Sequence, residues 1–166
     1  MSHLSQVHNK IVSSNKIASL TKDWKSDGET IVFTNGCFDL LHLGHIEYLA
    51  QAADLGSKFI IGLNSDQSVK LLGKGNLRPI KDEQTRATIL AALEFVSAIV
   101  IFSEETPYQL ISSIVPNVLV KGGDWKIDAI VGAVIVTKNG GQVISIPFVE
   151  GYSTTNYVEK IQNGKS

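Results

Sequence analysis

The 166-residue sequence predicts an α/β fold: a Rossmann-like, doubly wound five-stranded parallel sheet with helices on both faces. Two observations carry that expectation. Short, continuously apolar runs alternate with segments of helical spacing, as strands buried on both faces and their covering helices do. The unusual polar, glycine-rich and charged residues fall just after those runs, in segments that right-handed crossovers gather on one edge of the sheet.

Taken in order, Met1 to Lys10 is polar and reads as a loosely held tail. Ile11 to Trp24 has weak helical periodicity and stops at Lys25-Ser-Asp-Gly28, so residues 1–28 are expected as an N-terminal tail and helix and 29–163 as a single domain. Ile31 to Phe33 suits a buried strand, Thr34 to Gly36 are turn formers, and Leu43 to about Leu55 is a helix closed by Gly56. Lys58 to Leu63 is the second strand, and Asn64-Ser-Asp66 opens a short helix. A helix capped by Asp82 or Thr85 runs to Phe95, Ala98 to Phe102 is the third strand, and Thr106-Pro107 starts another helix. Asn117 to Lys121 is the fourth strand, followed by a helix from Ile127 to Asn139 closed by Gly140-Gly141. Val143 to Pro147 is the fifth strand, and a helix from Ser153 to about Gln162 finishes the chain.

Composition narrows the function. With 43% hydrophobic residues the chain can bury a real core, and a net charge of −1 argues against a nucleic-acid surface or a polybasic membrane patch. The single cysteine, Cys37, excludes an intrachain disulfide and suits a reducing cytoplasm. The longest mostly apolar run, Ile89 to Phe102, is interrupted by Glu94 and Ser97 and falls short of the roughly 18 residues a membrane span needs. The first ten residues lack the apolar stretch of a secretory signal.

The chemistry concentrates where the first strand gives way to its helix. His42 and His45 are three apart at a helix start and can face one ligand, and Gly44 has no side chain to hold a phosphate off the backbone amides. An isolated His-x-Gly-His is equally well two polar residues at a helix start; the preceding Thr34-Asn-Gly36 turn favours the anion site. Asp39 either bonds the backbone of its own turn, the better supported reading, or helps hold a metal ion. Leu71 to Pro79 is rich in glycine and cation, and reads as a flap carrying Lys74 and Arg78 onto phosphates or as a solvated loop. Lys121-Gly-Gly-Asp-Trp125 allows close backbone approach, then presents Asp124 and an indole that packs on a base or sugar or covers the end of the core. In Gly151-Tyr-Ser-Thr-Thr-Asn156, an Asn156–Glu159 capping pair explains one polar residue. The hydroxyls of Ser153, Thr154 and Thr155 exceed what a cap needs, and with free amides they make a second phosphate site.

Gly36-Cys-Phe-Asp39 followed by Leu41-His-Leu-Gly-His45 resembles the signature of the nucleotidyltransferase superfamily that carries a His-x-Gly-His motif. Within it, the stretch from about Ile31 to Ile161 is similar to the adenylyltransferases that make ADP-heptose from D-glycero-β-D-manno-heptose 1-phosphate. The resemblance implies AMP transfer from ATP to a sugar 1-phosphate, with Mg²⁺ bound to the ATP and no dedicated protein metal site. Catalysis would fall to His42, His45, Lys74 and Arg86. Nucleotide binding would fall to Thr34, Asn35, Gly36, Phe38, Gly44, Lys121, Gly123 and Tyr152 with Ser153, Thr154 and Thr155. Asp39, Asn64, Asp66, Arg78, Asp124 and Trp125 would bind the acceptor. A homodimer and a separate sugar kinase upstream are implied in the same way.

Two departures matter. The superfamily's hydroxyl motif commonly ends in arginine where this chain has Val158, which reduces the charge expected of the last helix. Cytidylyltransferases acting on glycerol phosphate or choline phosphate usually read Arg-Thr-Glu-Gly-Ile-Ser-Thr where this chain reads Phe148-Val-Glu-Gly-Tyr-Ser-Thr154, a difference that favours adenine. The rivals are cytidylyl transfer to a polyol phosphate such as glycerol 3-phosphate, and a non-catalytic nucleotide-binding module on the same fold. A zinc site is disfavoured, because the loop after the first strand offers only two histidines and one cysteine, short of the four ligands structural zinc takes.

Overall fold

One central strand sets both layers of the molecule. In β1 (Ile31–Gly36), Ile31 and Phe33 join one buried cluster and Val32 joins the other, as the two-residue period of a strand requires. The computed structural model describes residues 1–73, 78–162 and 164. Its sheet adds β2 (Lys58–Asn64), β3 (Ala98–Phe102), β4 (Val118–Gly122) and β5 (Gln142–Ile146), all parallel, in the order β3-β2-β1-β4-β5. The order reverses between β1 and β4, so the crevice beyond their carboxyl ends is the place for a ligand.

Helices before, between and after these strands cover both faces. Tyr48, Leu49 and Ala52 of α3 (Leu43–Ala53) and Leu90 of α5 (Glu83–Ala91) pack on the face that Val32 serves. Ile17 of α2 (Ser14–Ser26), Ile111 of α6 (Tyr108–Ile114) and Val136 of α7 (Ala133–Lys138) pack on the other. A short α4 (Asp66–Leu71) follows β2, and α8 (Thr154–Gln162) ends the fold. No helix among the described residues is long and apolar enough to cross a membrane.

Four local expectations change. Thr34 to Gly36 are strand rather than turn, paired with Ile61 to Leu63. The segment expected as a loose tail forms α1 (His3–Asn9), capped by the Ser2 hydroxyl. The chain after α1 covers the edge of β3: the Ile99 amide donates to the Lys10 carbonyl at 2.8 Å, and the Val12 amide to the Ile99 carbonyl at 2.9 Å. The long helix expected over 127–139 is broken into a 3₁₀ turn (Ile127–Ala129) and α7, because Gly132 between them takes φ +86°. The helix expected to reach Phe95 stops at Ala91.

Candidate active site

The first wall of the crevice is built from β1, its loop and α3. Phe38 is held at φ +45°, a strained conformation for an aromatic residue, and a Cβ at Gly36 would lie 2.8 Å from its ring. Asp39, nearly buried, accepts from the amides of Ile80 at 2.9 Å and Lys81 at 3.0 Å, and from the Arg78 guanidinium at 3.2 Å. Its carboxylate therefore fastens the 78–81 segment to the first loop, rather than shaping its own turn. Asp39 and Arg78 both stand in the crevice wall.

His42 is the N-cap of α3, and its imidazole stacks on that of His45 with centroids 3.8 Å apart and planes 24° apart. Phe38 meets His45 edge-on at 5.5 Å. His42 Nδ1 is buried and has no hydrogen-bond partner among the described residues. Burial holds the His42 pKa below the ordinary histidine value. A Cβ on Gly44 would lie 3.1 Å from the Tyr152 Cβ and 3.2 Å from His42 Nδ1, so glycine permits the two walls to touch here.

The second wall is the turn after β5 and the start of α8. Ser153 Oγ accepts the Asn156 amide at 3.0 Å, so Ser153 is the cap and the expected Asn156–Glu159 pair is not needed. Tyr152 and Tyr157 both stack toward His42, with centroids at 6.3 and 5.9 Å and planes within 24°. A cavity of about 590 Å³ separates the walls and is lined by His45, Thr154, Thr155, Arg78 and Lys121 among others. A second, of about 230 Å³, shares Asn35, Gly36, Cys37, Lys121 and Trp125 with it and adds Asn64 and Glu105. A third, of about 200 Å³, lies between His42, Phe148, Tyr152 and Ser153. The half-exposed Trp125 is steadied by its indole N–H on the Gly122 carbonyl at 3.1 Å, and Lys121 Nζ lies 5.9 Å from its ring. Gly123 takes φ +105°, and a Cβ there would meet the Phe148 ring at 2.9 Å.

The structure does not bring every expected residue to the crevice. Arg86 is fully buried, donating to the carbonyls of Cys37 at 2.6 Å, Asn64 at 2.8 Å and Lys81 at 3.0 Å and to Asp66 at 2.7 Å. Its guanidinium ties three loops together where a phosphate contact was expected, and it occupies Asp66 as well. Thr34 is buried with its hydroxyl against the Tyr48 hydroxyl at 2.5 Å, and burial pushes the Tyr48 pKa up to about 12. Asp124 is exposed and lines none of the three cavities. Lys74 lies outside the described residues. Sequence reasoning passed over Tyr48, Tyr157, Glu105 and Phe148 as site residues. Tyr48 carried a signal, since it follows His45 by three on one helix face.

Facing helix N-termini at the switch point of an open parallel sheet suit the transfer of a nucleotidyl group, and nucleotidyltransferases are the class that fold and crevice define. Comparison with known proteins agrees: the chain belongs to the cytidylyltransferase-like family, which matches residues 33–160. It is 52% identical over 144 residues to the bifunctional protein HldE of Rhodopseudomonas palustris, covering 87% of this chain and 29% of that protein. With HldE of Wolinella succinogenes it shares 49% over 161 residues, 97% of this chain and 33% of that one. The chain thus spans about a third of the length of the curated relatives it matches. Among solved structures, a lipopolysaccharide core biosynthesis protein from Thermoplasma volcanium superposes with a TM-score of 0.59 at 26% identity, over 75% of this chain and 99% of that one. A pantoate-beta-alanine ligase from Francisella tularensis, solved with beta-gamma ATP and beta-alanine, gives 0.62 over 89% of this chain and 72% of that one; at 17% identity it shows the fold alone.

Proposed function

We propose that this domain transfers AMP from ATP to a sugar 1-phosphate, D-glycero-β-D-manno-heptose 1-phosphate, releasing pyrophosphate, in the cytoplasm. One observation carries the reading: the His45 imidazole and the hydroxyls of Thr154 and Thr155 line a single cavity whose wall also holds Arg78 and Lys121. The sugar comes from the resemblance to heptose-phosphate adenylyltransferases. By the same resemblance, the domain acts as a homodimer and receives its 1-phosphate from a sugar kinase.

A phosphate oxygen of the acceptor attacks the α-phosphorus in line, a new P–O bond forms, and the bond from that phosphorus to the bridging oxygen of the β-phosphate breaks. The nucleophile is already an anion, so no general base and no covalent enzyme intermediate is required. Positioning and charge neutralisation supply the catalysis. His42 and His45 bind the α-phosphoryl group and the departing pyrophosphate. Ser153 to Thr155 and the amides of the α8 N-terminus hold the far side. Lys121, common to the two larger cavities, neutralises charge where donor and acceptor meet. Arg86 acts from behind, holding the first loop against β2 and the 81–82 turn. Asp39 is the only carboxylate lining the main cavity among the described residues, and it is already engaged by two amides and Arg78. The described residues therefore do not fit a protein-held magnesium cage, and magnesium enters as part of the substrate, MgATP.

Cytidylyl transfer to a polyol phosphate is the second reading, favoured by the description of the matching family. Against it, the place of the cytidylyltransferase arginine is taken by Phe148, whose ring covers Gly122 and Gly123. Pyrophosphate release from ATP and CTP, each with heptose 1-phosphate and with glycerol 3-phosphate, separates the readings. The expected result is turnover with ATP and the heptose phosphate. CTP with glycerol phosphate as the better pair would replace this reading by the second, and no release with any pair would leave a binding module.

A further inference from the structure

We propose that Tyr157 is a positioning residue for His42: with Tyr152 it grips the imidazole face and couples the docking of α8 to the orientation of the histidine pair. The inference deepens the proposed function and rests on it for its catalytic consequence. Its geometric content stands alone. With Ser153 as cap, Tyr152 is the residue before the cap and Tyr157 the fourth residue of the helix. These are the two positions at which an apolar pair commonly staples a helix start. Here both rings also meet a third group: Tyr157 lies 5.9 Å from His42 with planes 20° apart, and Tyr152 lies 6.3 Å away with planes 24° apart. Both fall in the range of offset stacking. The next ring inward is His45, and beyond it Phe38. A continuous series of rings thus links α8 to the strained first loop.

Two further observations make Tyr157 more than surface cover. None of the residues of α8 is fully buried: Thr154 and Val158 are half-buried, and Tyr157 adds the ring contact to His42 while keeping 41% of its surface exposed. His42 Nδ1 is buried without a hydrogen-bond partner among the described residues, so no polar contact there fixes its ring and stacking must set its plane. A group that only helped α8 bind nucleotide would change KM. A group that aims an imidazole at the transition state changes kcat.

The test compares Y157L, which removes the ring, with Y157F, which keeps it. Each is read by pyrophosphate release at varied ATP and by the NMR resonances of the histidine ring protons, assigned with a His42→Gln variant. In Y157L, kcat falls on the order of tenfold or more, since a displacement of about 1 Å at a reacting group can cost about a hundredfold. KM for ATP changes little, the His42 ring resonances shift as the Tyr157 ring current is removed, and Y157F keeps both kcat and those resonances at their wild-type values. Unmoved His42 resonances in Y157L overturn the proposal, and so does a rise in KM with kcat unchanged. Should the wild-type protein transfer no nucleotide at all, the proposed function fails, and the NMR comparison alone decides whether Tyr157 positions His42.

Discussion

The two walls of the crevice are made differently. The first, from β1 through α3 with the 78–86 segment behind it, is set in the core: Thr34, Asp39 and Arg86 are buried, Thr34 hydrogen-bonded to Tyr48 of α3 and the other two to neighbouring loops. The second, from Phe148 through α8, buries no helix residue; its helix start is capped locally by Ser153, and it meets the domain through the Phe148 ring over Gly122 and Gly123 and through two tyrosines stacked toward His42. One wall is tied into the core, whereas the other is held by fewer and more exposed contacts. Substitutions in the framework of the first wall should therefore register as stability, and substitutions in the second as binding or turnover.

The strongest challenge to that contrast is Arg86→Met, which leaves the carbonyls of Cys37, Asn64 and Lys81 and the Asp66 carboxylate without their donor. It should lose about 3 kcal/mol in urea unfolding. A variant of normal stability that is merely inactive would mean that Arg86 meets phosphate instead. His45→Ala lies at the boundary of framework and chemistry. Its kcat in the pyrophosphate assay should drop roughly a hundredfold, with thermal unfolding little changed.

The buried Tyr48–Thr34 pair sharpens the comparison through pH. Its folded pKa of about 12 lies above the ordinary value of 10, so the unfolded chain releases the proton first. Stability is then fully present below pH 10 and falls as pH rises toward 12, by about 2 to 3 kcal/mol. Y48F should remove that slope in alkaline unfolding curves. The smallest expected effect belongs to the second wall. Ser153→Ala removes a cap that supports α8 by about 1 kcal/mol. It should speed amide exchange within α8 and raise KM for ATP without moving the global unfolding midpoint.

Much of this was legible in the residues. Continuous apolar runs placed the five strands, and His42-Leu-Gly-His45 with Ser153-Thr-Thr155 named the parts of the two walls that face each other. What stayed hidden is contact whose second partner is backbone or a distant ring. Arg86, expected among the catalytic residues, could not be read as a buried tie because carbonyl acceptors leave no trace in side-chain composition. Asp39 reads as a turn residue because its amide partners lie some forty positions away. The break at Gly132 depends on a left-handed φ that a helical pattern does not display, and Tyr157 becomes visible only once Ser153 is known to be the cap.

The most direct measurement is a crystal structure with a non-hydrolysable ATP analogue. A single triphosphate should contact the imidazoles of His42 and His45 on one side and the hydroxyls and amides at the start of α8 on the other. A triphosphate seated against only one wall, or outside the crevice altogether, would contradict the convergence on which the proposed transfer depends.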